Sequence, residues 1–418
     1  MAQLSDDCFA FGGALLPAAE ALNILKAQIV PVTGSETLPL IESRGRVLAE
    51  AVVATRDVPP QDNAAVDGYA VDFDDLAPGA STSLPIGGRA AAGHPLGRSV
   101  QRGEAIRIFT GAAMPDGADT VLMQEDCRVV DGQAVLPPGI KRGSNRRFAG
   151  EDLKRGNLVL APGRRLRAQE IGLAASLGLT QLTVQRRLRV ALFSTGDEVR
   201  EPGGELPPGA IFDSNRYTLR ALLETLSCAV TDLGILPDDS ESVRAALSRA
   251  AKDHDLVVTS GGVSSGEEDH VKSAVEALGR LHFWRLAIKP GRPVAMGQLG
   301  LVPFIGLPGN PVAVMVTFLL LARPLILLLS GAEDAPPRLF RVGAGFAYDK
   351  KGGRTEYLRV RLKRGENGDW IAEKFPRDGA GILTSMVESD GLVEIGEGIS
   401  RIELGAPVDF LPFSEVIA

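Results

Sequence analysis

The segment of residues 255–270 constrains the fold of this chain more than any other part of the sequence. Residues 256–259 form a short apolar run rich in β-branched side chains, which is typical of a strand buried on both faces. The run ends at Ser260-Gly261-Gly262, and a helical spacing of apolar residues begins near Asp269. A strand, a glycine-rich turn and a helix in this order predict an α/β unit. The unpaired N–H groups of such a turn favour a bound anion.

The turn of this segment is the first candidate binding site. Glycine lets the backbone approach a phosphate closely, and the loop from Ser260 to Gly266 adds hydroxyl donors, including that of Ser264. Acidic residues 267–269 follow directly, and carboxylates repel phosphate unless a divalent cation lies between the two. The alternative is an ordinary strand-to-helix turn in which acidic side chains stabilise the helix N-terminus.

The same alternation of strand and helix patterns extends over most of residues 189–329. Strands are expected at 190–194, 229–236 and 256–259 and as a pair within 283–296, and helices at 215–226, 240–251, 271–278 and from 311 onward. This order predicts a largely parallel sheet whose ligands bind at the carboxyl ends of the strands.

The other parts of the chain have different patterns of apolar residues and turns. A helical spacing at 17–30 opens the chain, residues 56–155 alternate short strand patterns with Gly and Pro turns, and the helix patterns stop after Gly331. We therefore expect a mostly β domain inserted into the first domain and a C-terminal β barrel or sandwich. The expected domains are 14–55 with 156–186 (domain I), 56–155 (domain II), 187–332 (domain III) and 333–418 (domain IV).

Composition excludes several classes of protein. A net charge of -7 argues against a general nucleic-acid binder. Cys8, Cys127 and Cys228 lie far apart, so neither a disulfide framework nor a CxxC metal site is expected. With only four histidines besides, a zinc site is not expected either.

Two observations bear on the location of the protein. The N-terminal region carries Asp6 and Asp7 and no basic segment, which argues against a secretory signal. The most apolar stretch, 312–329, is interrupted by Arg323-Pro324 and begins with Asn310-Pro311, which fits the start of a buried helix. We therefore expect a cytoplasmic enzyme without a membrane span.

Acidic residues follow three of the predicted strands. Glu198, Asp238 and Asp269 come where the strand patterns end, so they are expected at one edge of the sheet. Carboxylates and water are the ligands that Mg²⁺ prefers, and this convergence predicts a magnesium site. For Asp238 or the neighbouring Asp239, the alternative is a helix N-cap.

Basic residues gather in the next strand region. Arg285 and Lys289, taken singly, fit solvated surface charges. Arg292 lies between Gly291 and Pro293 on a rigid turn, where its guanidinium can be held for an oxyanion. A second anion-binding position is expected at the helix N-terminus opened by Pro308, Gly309 and Asn310.

Several of these segments, taken together, resemble one family. The chain resembles the molybdopterin molybdenumtransferases (the MoeA family), whose eukaryotic relatives include the gephyrin E domain. The matching segments, which have the family's order, are DNAAVDGYA (62–70), IFTGA (108–112), NRRFAGED (145–152), ALFSTGDE (191–198), DSN (213–215), TSGGVSSGEED (259–269), WRLAIKPGRP (284–293) and GLPGNP (306–311). They are spread over nearly the whole chain.

The resemblance implies a fold, a reaction and partners. The implied fold is α/β plus β and multidomain, with a three-layer α/β/α domain similar to the adenylyltransferase MogA, a small inserted β domain and a C-terminal β barrel. The implied reaction converts adenylylated molybdopterin and molybdate, with Mg²⁺, to molybdenum cofactor and AMP. The implied protein is a homodimer that contacts the adenylyltransferase and the proteins that mature molybdoenzymes, and it binds neither nucleic acid nor membrane.

The resemblance also assigns roles to residues. The family's functional positions fall on Asp67, Thr110, Asp152, Glu198, Asp238, Asp269, Arg285, Lys289, Arg292 and Arg359. It implies that Glu198, Asp238 and Asp269 hold Mg²⁺, that residues 260–266 bind the phosphates, and that Lys289, Arg292 and Arg359 bind molybdate. It further implies that residues from the inserted domain reach the site of the other subunit.

Two residues depart from the family pattern. Arg285 stands where lysine is frequent, and a guanidinium fork is not equivalent to an ammonium point charge. Ala380 stands where serine is usual, which removes a hydroxyl proposed for molybdate. Either Thr384, Ser385 or a backbone N–H substitutes for it, or oxyanion affinity is lower. Two other functions stay open at this point, an adenylyltransferase of the preceding step and a gephyrin-like scaffold.

Overall fold

The computed structural model describes residues 15–237, 239–262, 270–291, 293–333 and 335–417. These residues form two compact units. The first unit comprises the described residues up to Ala49, Pro162–Arg167 and those from Leu182 onward. The second unit comprises Glu50–Ala161 and Ala168–Gln181. The four domain boundaries drawn from the sequence stay a prediction.

A six-stranded sheet forms the centre of the first unit. Its strands, in spatial order, are Ala229–Ile235, Arg189–Ser194, Leu256–Ser260, Val302–Leu307, Pro293–Leu299 and Gly279–Arg285. The first four strands are parallel, and the last two are antiparallel to their neighbours. The parallel-rich sheet confirms the predicted α/β domain. The strand Val302–Leu307 was not expected from the sequence, where Pro303 and Gly306 interrupt a short apolar run.

Helices cover both faces of this sheet because successive strand residues point to opposite faces. Val190 and Leu192 pack with the helices Asn215–Thr225 and Pro311–Thr317, whereas Ala191 and Phe193 pack in a second core. The helices of that second core are Ser240–Asp253 and His270–Leu278. Two cores on either side of one sheet give the three-layer arrangement expected.

The most apolar helical stretch contains a break at the position of its proline. It consists of the helix Pro311–Thr317, the π-helical turn Phe318–Ala322 and the helix Arg323–Leu329. Pro324 has no N–H for the usual bond within the helix, and a π-turn is a common way to accommodate such a break. The stretch Pro311–Leu329 is long and apolar enough to cross a membrane, with a mean hydropathy of 2.5, yet 67% of that window is buried inside the protein. Core helices pass the same test, so the expected buried helix is the better description.

A closed five-stranded barrel lies near the C-terminus. Its strands, in spatial order, are Thr355–Arg364, Trp370–Lys374, Phe340–Ala344, Pro407–Pro412 and Gly391–Ile395, and the last pairs with the first. The short strand Ile288–Lys289, from the α/β region, joins the barrel sheet in parallel to Thr355 and Glu356. The sequence left a barrel and a sandwich open, and the structure has a barrel.

The second unit is mostly β, as expected for the inserted segment. Its main sheet contains, in spatial order, the strands Thr120–Met123, Gly68–Val71, Ala105–Ile108, Thr82–Ala90, Gln133–Leu136 and Arg128–Val130. Short paired strands Asn63–Ala64 and Arg146–Arg147 lie beside it, as do Val52–Val53 and Leu158–Leu160, and the helix Ala168–Ser176 belongs to the same unit.

The remaining elements of the first unit are short. They comprise the helices Ala18–Gln28 and Thr384–Val387 and the paired strands Ser35–Pro39 with Gln181–Gln185, Val199–Arg200 with Ile211–Phe212, and Tyr348–Asp349 with Arg401–Ile402. Ala21 and Leu25 bury one face of the first helix in the larger core.

Candidate functional site

One cavity of about 560 Å³ in the first unit brings together the turns of the α/β sheet and one end of the barrel. Its lining includes eight residues that the sequence predicts for the site: Glu198, Gly261, Gly262, Lys289, Pro308, Gly309, Asn310 and Arg359. Residues that the sequence did not single out as ligands also line it: Pro290, Gly291, Pro293, Ala313, Tyr348, Glu356, Tyr357, Leu358, Asp378, Gly379 and Ala380. The cavity therefore combines backbone-rich turns with charged side chains.

The glycine-rich turn needs glycine for two physical reasons. Gly261 and Gly262 have φ angles of 83° and 61°, in the left-handed region that favours glycine. A Cβ atom at Gly262 would also lie 2.3 Å from Oγ1 of Thr195, which is far inside van der Waals contact. The predicted turn residues are thus confined to glycine by backbone conformation and space together.

Asn215 joins the glycine-rich turn to the turn that precedes the apolar helix. Its Nδ2 donates to Oγ of Ser260 at 2.9 Å and to the carbonyl of Gly309 at 2.7 Å. Oγ of Ser260 donates in turn to the carbonyl of Pro308 at 3.3 Å. In this arrangement the Ser260 hydroxyl connects two loops of the site. In the sequence, Asn215 is recognisable only as part of the DSN segment at 213–215, and this contact could not be predicted from it.

Lys289 reaches the cavity beside a buried carboxylate. It pairs in register with Glu356 of the barrel, and its Nζ lies 3.1 Å from Oε2 of that side chain. The Tyr348 hydroxyl donates to the same oxygen at 2.7 Å. Glu356 is only 3% exposed. Burial and this carboxylate raise the pKa of Tyr348 above its usual range. Glu356 and Tyr348 lie outside the recognised motifs, so neither residue could be predicted for the site from the sequence.

Arg359 is held by several acceptors although it is only 6% exposed. Its Nε donates to Oγ of Ser385 at 3.1 Å, and Nη2 donates to the carbonyls of Arg377 and Gly379, both at 3.3 Å. Burial lowers the pKa of the guanidinium. The bonds fix the orientation of a cation at the wall of the cavity, as binding of an oxyanion requires.

The described part of the chain contains no group of three or more His, Cys, Asp or Glu side chains arranged to hold a metal. Of the three predicted magnesium ligands, Glu198 lines the cavity. Asp238 and Asp269 lie outside the described residues, as do Ser264, Gly266 and Arg292. The neighbouring Asp239 is a helix N-cap, which is the alternative that the sequence left open. It precedes the helix Ser240–Asp253, and its side-chain Oδ1 accepts the N–H of Ser242 at 2.8 Å.

Two predicted residues of the second unit contact each other. Oδ1 of Asp67 accepts the N–H of Thr110 at 2.8 Å and its hydroxyl at 2.7 Å. These two hydrogen bonds lower the pKa of Asp67, and the nearby Arg107 adds to the effect. The carboxylate is therefore ionised and oriented at neutral pH.

The three motif segments of the second unit also meet. Ala64 of the first motif accepts the N–H of Gly111 at 2.8 Å and pairs in register with Arg146. The N–H of Asp152 donates to the carbonyl of Val58 at 3.0 Å, which connects the end of the third segment to the chain just before the first. The fold brings loop segments together that are up to about ninety residues apart in the chain.

Arg285 does not line the cavity. It ends the edge strand Gly279–Arg285, opposite Pro293, and its side chain is exposed. Its carbonyl accepts the N–H of Leu16 at 2.8 Å. Asn310 precedes the helix Pro311–Thr317 and lines the cavity without capping the helix through its side chain.

Comparison with protein families covers most of the chain. Residues 16–178 match the "MoeA N-terminal region (domain I and II)", 191–327 match a "Probable molybdopterin binding domain", and 341–413 match the "MoeA C-terminal region (domain IV)".

Individual relatives match over most of their length. The molybdopterin molybdenumtransferase of Haemophilus influenzae is 37% identical over 406 residues, which is 96% of this chain and 100% of the relative. That of a Nostoc species is 36% identical over 78% of this chain and 76% of the relative. The crystal structure of the molybdopterin biosynthesis moeA protein from Pyrococcus horikoshii OT3 matches with a TM-score of 0.82 and 30% identity, over 95% of this chain and all of that one. These matches confirm the expected enzyme class and fold, and the chain belongs to the molybdopterin molybdenumtransferase (MoeA) family.

Proposed function

We propose that this protein inserts molybdenum from molybdate into adenylylated molybdopterin, giving molybdenum cofactor and AMP. The observation that carries the proposal is the single cavity in which Glu198, Lys289 and Arg359 meet the glycine turns. The relatives from Haemophilus, matched over its full length, and Nostoc, matched over about three quarters of its length, are molybdopterin molybdenumtransferases. The cavity provides both a backbone surface suited to phosphate and fixed cations suited to a second oxyanion.

The roles of the residues follow from their chemistry. Backbone N–H groups at Gly262 and Gly309, both in the lining of the cavity, would bind the phosphates of the adenylylated substrate. The N–H of Gly261 already donates to the carbonyl of Leu307 at 3.2 Å. Lys289 and Arg359 would bind molybdate, which is a tetrahedral dianion that needs convergent donors. The dithiolene sulfurs of molybdopterin bind the metal, so the protein needs no nucleophile of its own for that step. Both described cysteines have a pKa raised mainly by burial, Cys127 to about 11 and Cys228 to about 12, which agrees with that reading.

The magnesium ion is part of this proposal. The carboxylate of Glu198, in the lining of the cavity, has the oxygen atoms that Mg²⁺ prefers as ligands. Asp238 and Asp269, which lie outside the described residues, are proposed as the other two ligands. When bound, Mg²⁺ would supply Lewis-acid stabilisation to the phosphoanhydride bond that releases AMP. Asp67, Thr110 and Asp152 are proposed to complete the site from the second subunit of a homodimer. We extend the proposal to a cytoplasmic location and to contacts with the adenylyltransferase and with maturation proteins of molybdoenzymes.

The test of this function mixes the full-length protein with adenylylated molybdopterin, molybdate and Mg²⁺. AMP release and reconstitution of a molybdenum-free apo-enzyme are measured together, for the wild type and for Glu198→Gln and Asp269→Asn. We expect release that depends on molybdate in the wild type and its loss in both variants. Asp239→Asn is the matched control, because that carboxylate caps a helix outside the cavity.

Three results would contradict the proposal in different ways. Adenylylation of molybdopterin with ATP, without AMP release, would identify an enzyme of the preceding step. Release that persists in both variants would remove the acidic residues from the mechanism. A folded dimer with neither activity would favour a scaffold role.

A further inference from the structure

Ala380 lies in the cavity wall and offers only a methyl group there. Its carbonyl accepts the N–H of Val312 at 2.9 Å, so this part of its backbone is already used. The nearby Ser385 does not replace a hydroxyl at this position. Its Oγ accepts from Arg359, donates to the carbonyl of Ile382 at 2.6 Å and has no exposed surface. An oxyanion in this cavity must therefore receive any hydroxyl hydrogen bond from another residue.

Tyr348 offers such a hydroxyl at the cavity. Its oxygen lies 2.7 Å from Oε2 of Glu356, and Nζ of Lys289 lies 3.1 Å from the same carboxylate oxygen. The ammonium group of Lys374 lies 5.9 Å from the centre of the tyrosine ring. A cation thus lies over the face of the ring, and a carboxylate accepts the hydrogen bond of its hydroxyl. Its hydroxyl and the Lys289 ammonium share one acceptor, so they lie side by side in the wall.

Building on the function proposed above, we propose that the Tyr348 hydroxyl donates a hydrogen bond to molybdate beside Lys289 and Arg359, in place of a hydroxyl at position 380. On binding, the hydroxyl rotates its hydrogen from Glu356 to the oxyanion, and Lys289 keeps the carboxylate paired. A second tyrosine, Tyr357, lines the cavity too. It is 4% exposed and its hydroxyl bonds to Glu394, so it is already committed.

The charges in the lining of the cavity explain why a neutral hydrogen-bond donor would help to bind molybdate. Glu198, Glu356 and Asp378 share the lining with the cations Lys289 and Arg359, so uncompensated positive charge is scarce among the described residues. The raised pKa of Tyr348 keeps its proton on the oxygen at neutral pH. A protonated phenol donates to a dianion without adding negative charge to the site.

The experiment compares molybdate binding and AMP release in the wild type and in Tyr348→Phe. Binding of molybdate alone to the full-length protein is measured by equilibrium dialysis with ⁹⁹Mo. We expect the Kd to rise about tenfold, as for the loss of one hydrogen bond to a charged group. The molybdate concentration for half-maximal AMP release should rise by a similar factor. The rate at saturating molybdate should change much less, because the phosphate side of the cavity is untouched.

A matched control and a rescue separate this role from a structural one. Tyr217→Phe removes a hydroxyl that also bonds a carboxylate, Oε2 of Glu201 at 3.3 Å, on an exposed helix residue outside the cavity. It should leave molybdate affinity unchanged. The double variant Tyr348→Phe with Ala380→Ser returns a hydroxyl to the lining of the cavity. The double variant should recover most of the lost molybdate affinity. If Tyr348 only stabilised the fold, a new hydroxyl at position 380 would not restore that affinity.

The outcomes distinguish this inference from the function on which it rests. Molybdate-dependent AMP release with equal molybdate affinity in wild type and Tyr348→Phe would overturn the role of Tyr348 and leave the function standing. A loss in Tyr348→Phe that Ala380→Ser does not recover would also overturn it. If the wild type releases no AMP, the function fails. Dialysis then still decides: weaker binding in Tyr348→Phe supports the hydroxyl contact, and absence of binding by the wild type overturns it.

Discussion

The two walls of the cavity differ in the chemistry that they offer to an anion. The wall formed by the α/β sheet presents glycine turns, in which Gly261 and Gly262 have φ angles of 83° and 61°. The wall formed by the barrel presents Lys289, Glu356 and Arg359, whose charged groups are oriented by hydrogen bonds. At Gly262 the first wall has no space for an added atom, whereas the second wall contains charged groups that are held by hydrogen bonds. A substitution that adds an atom should therefore damage the wall formed by the sheet, and one that removes a hydrogen bond should damage the wall formed by the barrel.

The largest effect is expected from Gly262→Ala. The new Cβ would lie 2.3 Å from Oγ1 of Thr195 and 2.8 Å from Cγ2 of Val271, so the turn must move. A displacement of this size at the phosphate-binding backbone should lower AMP release by at least about a hundredfold. The control is Gly300→Ala, where φ is 63° and no atom lies within 4 Å. The control should cost only about 1–2 kcal/mol of backbone strain and leave activity intact. Equal losses in both variants would show that strain, not space, restricts the turn.

Arg359→Lys tests the barrel wall by removing bonds without removing the charge. A lysine keeps the cation but not the donors that reach Ser385, Arg377 and Gly379. We expect kcat/KM for AMP release to fall about a hundredfold, as for the loss of an oriented donor. Arg361→Lys, on the exposed side of the same strand, is the matched control. Full activity of Arg359→Lys would mean that charge alone matters on this wall.

Asp255 supports the sheet wall from the amino end of its central strand. Burial would raise the pKa of this carboxyl, but hydrogen bonds from Arg186 and Arg189 outweigh it and lower the pKa to about 2. A depressed folded pKa contributes stability above the unfolded value of about 4, and this stability is lost as the pH falls toward 2. The shift corresponds to about 2 kcal/mol. Asp255→Asn should lower the free energy of unfolding by that amount at pH 7 and flatten its decline between pH 4 and 2, as measured by urea titrations. An unchanged acid profile in the variant would assign the decline to other carboxyls.

The smallest effect is expected from Glu356→Gln, which keeps the shape of the barrel wall and removes one charge. Lys289 and Tyr348 lose their common ionic acceptor, so the ammonium is less well positioned. The loss of a supporting partner of this kind should lower kcat/KM about tenfold. Glu373→Gln, an exposed partner of Lys363, is the control and should have no effect on activity. A hundredfold loss would instead place Glu356 in direct contact with substrate.

The two walls also differ in how far the sequence predicts them. Glycine turns are visible in a sequence because the backbone conformation of Gly261 and Gly262 restricts residue type locally. The fold class was predictable for a similar reason, since strand and helix periods are local properties. The contacts of Glu356 and Tyr348 depend on the closed barrel and on the pairing of Lys289 with its sheet, so no local sequence pattern predicts them. Asn215 was visible as a motif, but its role depends on two loops that follow much later in the chain.

The pairing of Ile288–Lys289 with the barrel strand has a consequence for the modularity of the protein. Lys289 lies in the chain between two strands of the α/β sheet, but it is aligned by a hydrogen-bond ladder that belongs to the barrel. An α/β module excised from this chain would keep its glycine turns and lose the alignment of its principal cation. A barrel grafted onto another α/β module would have to bring a matching two-residue strand with it. Separation of the two folds should therefore disrupt the site even where each part folds by itself.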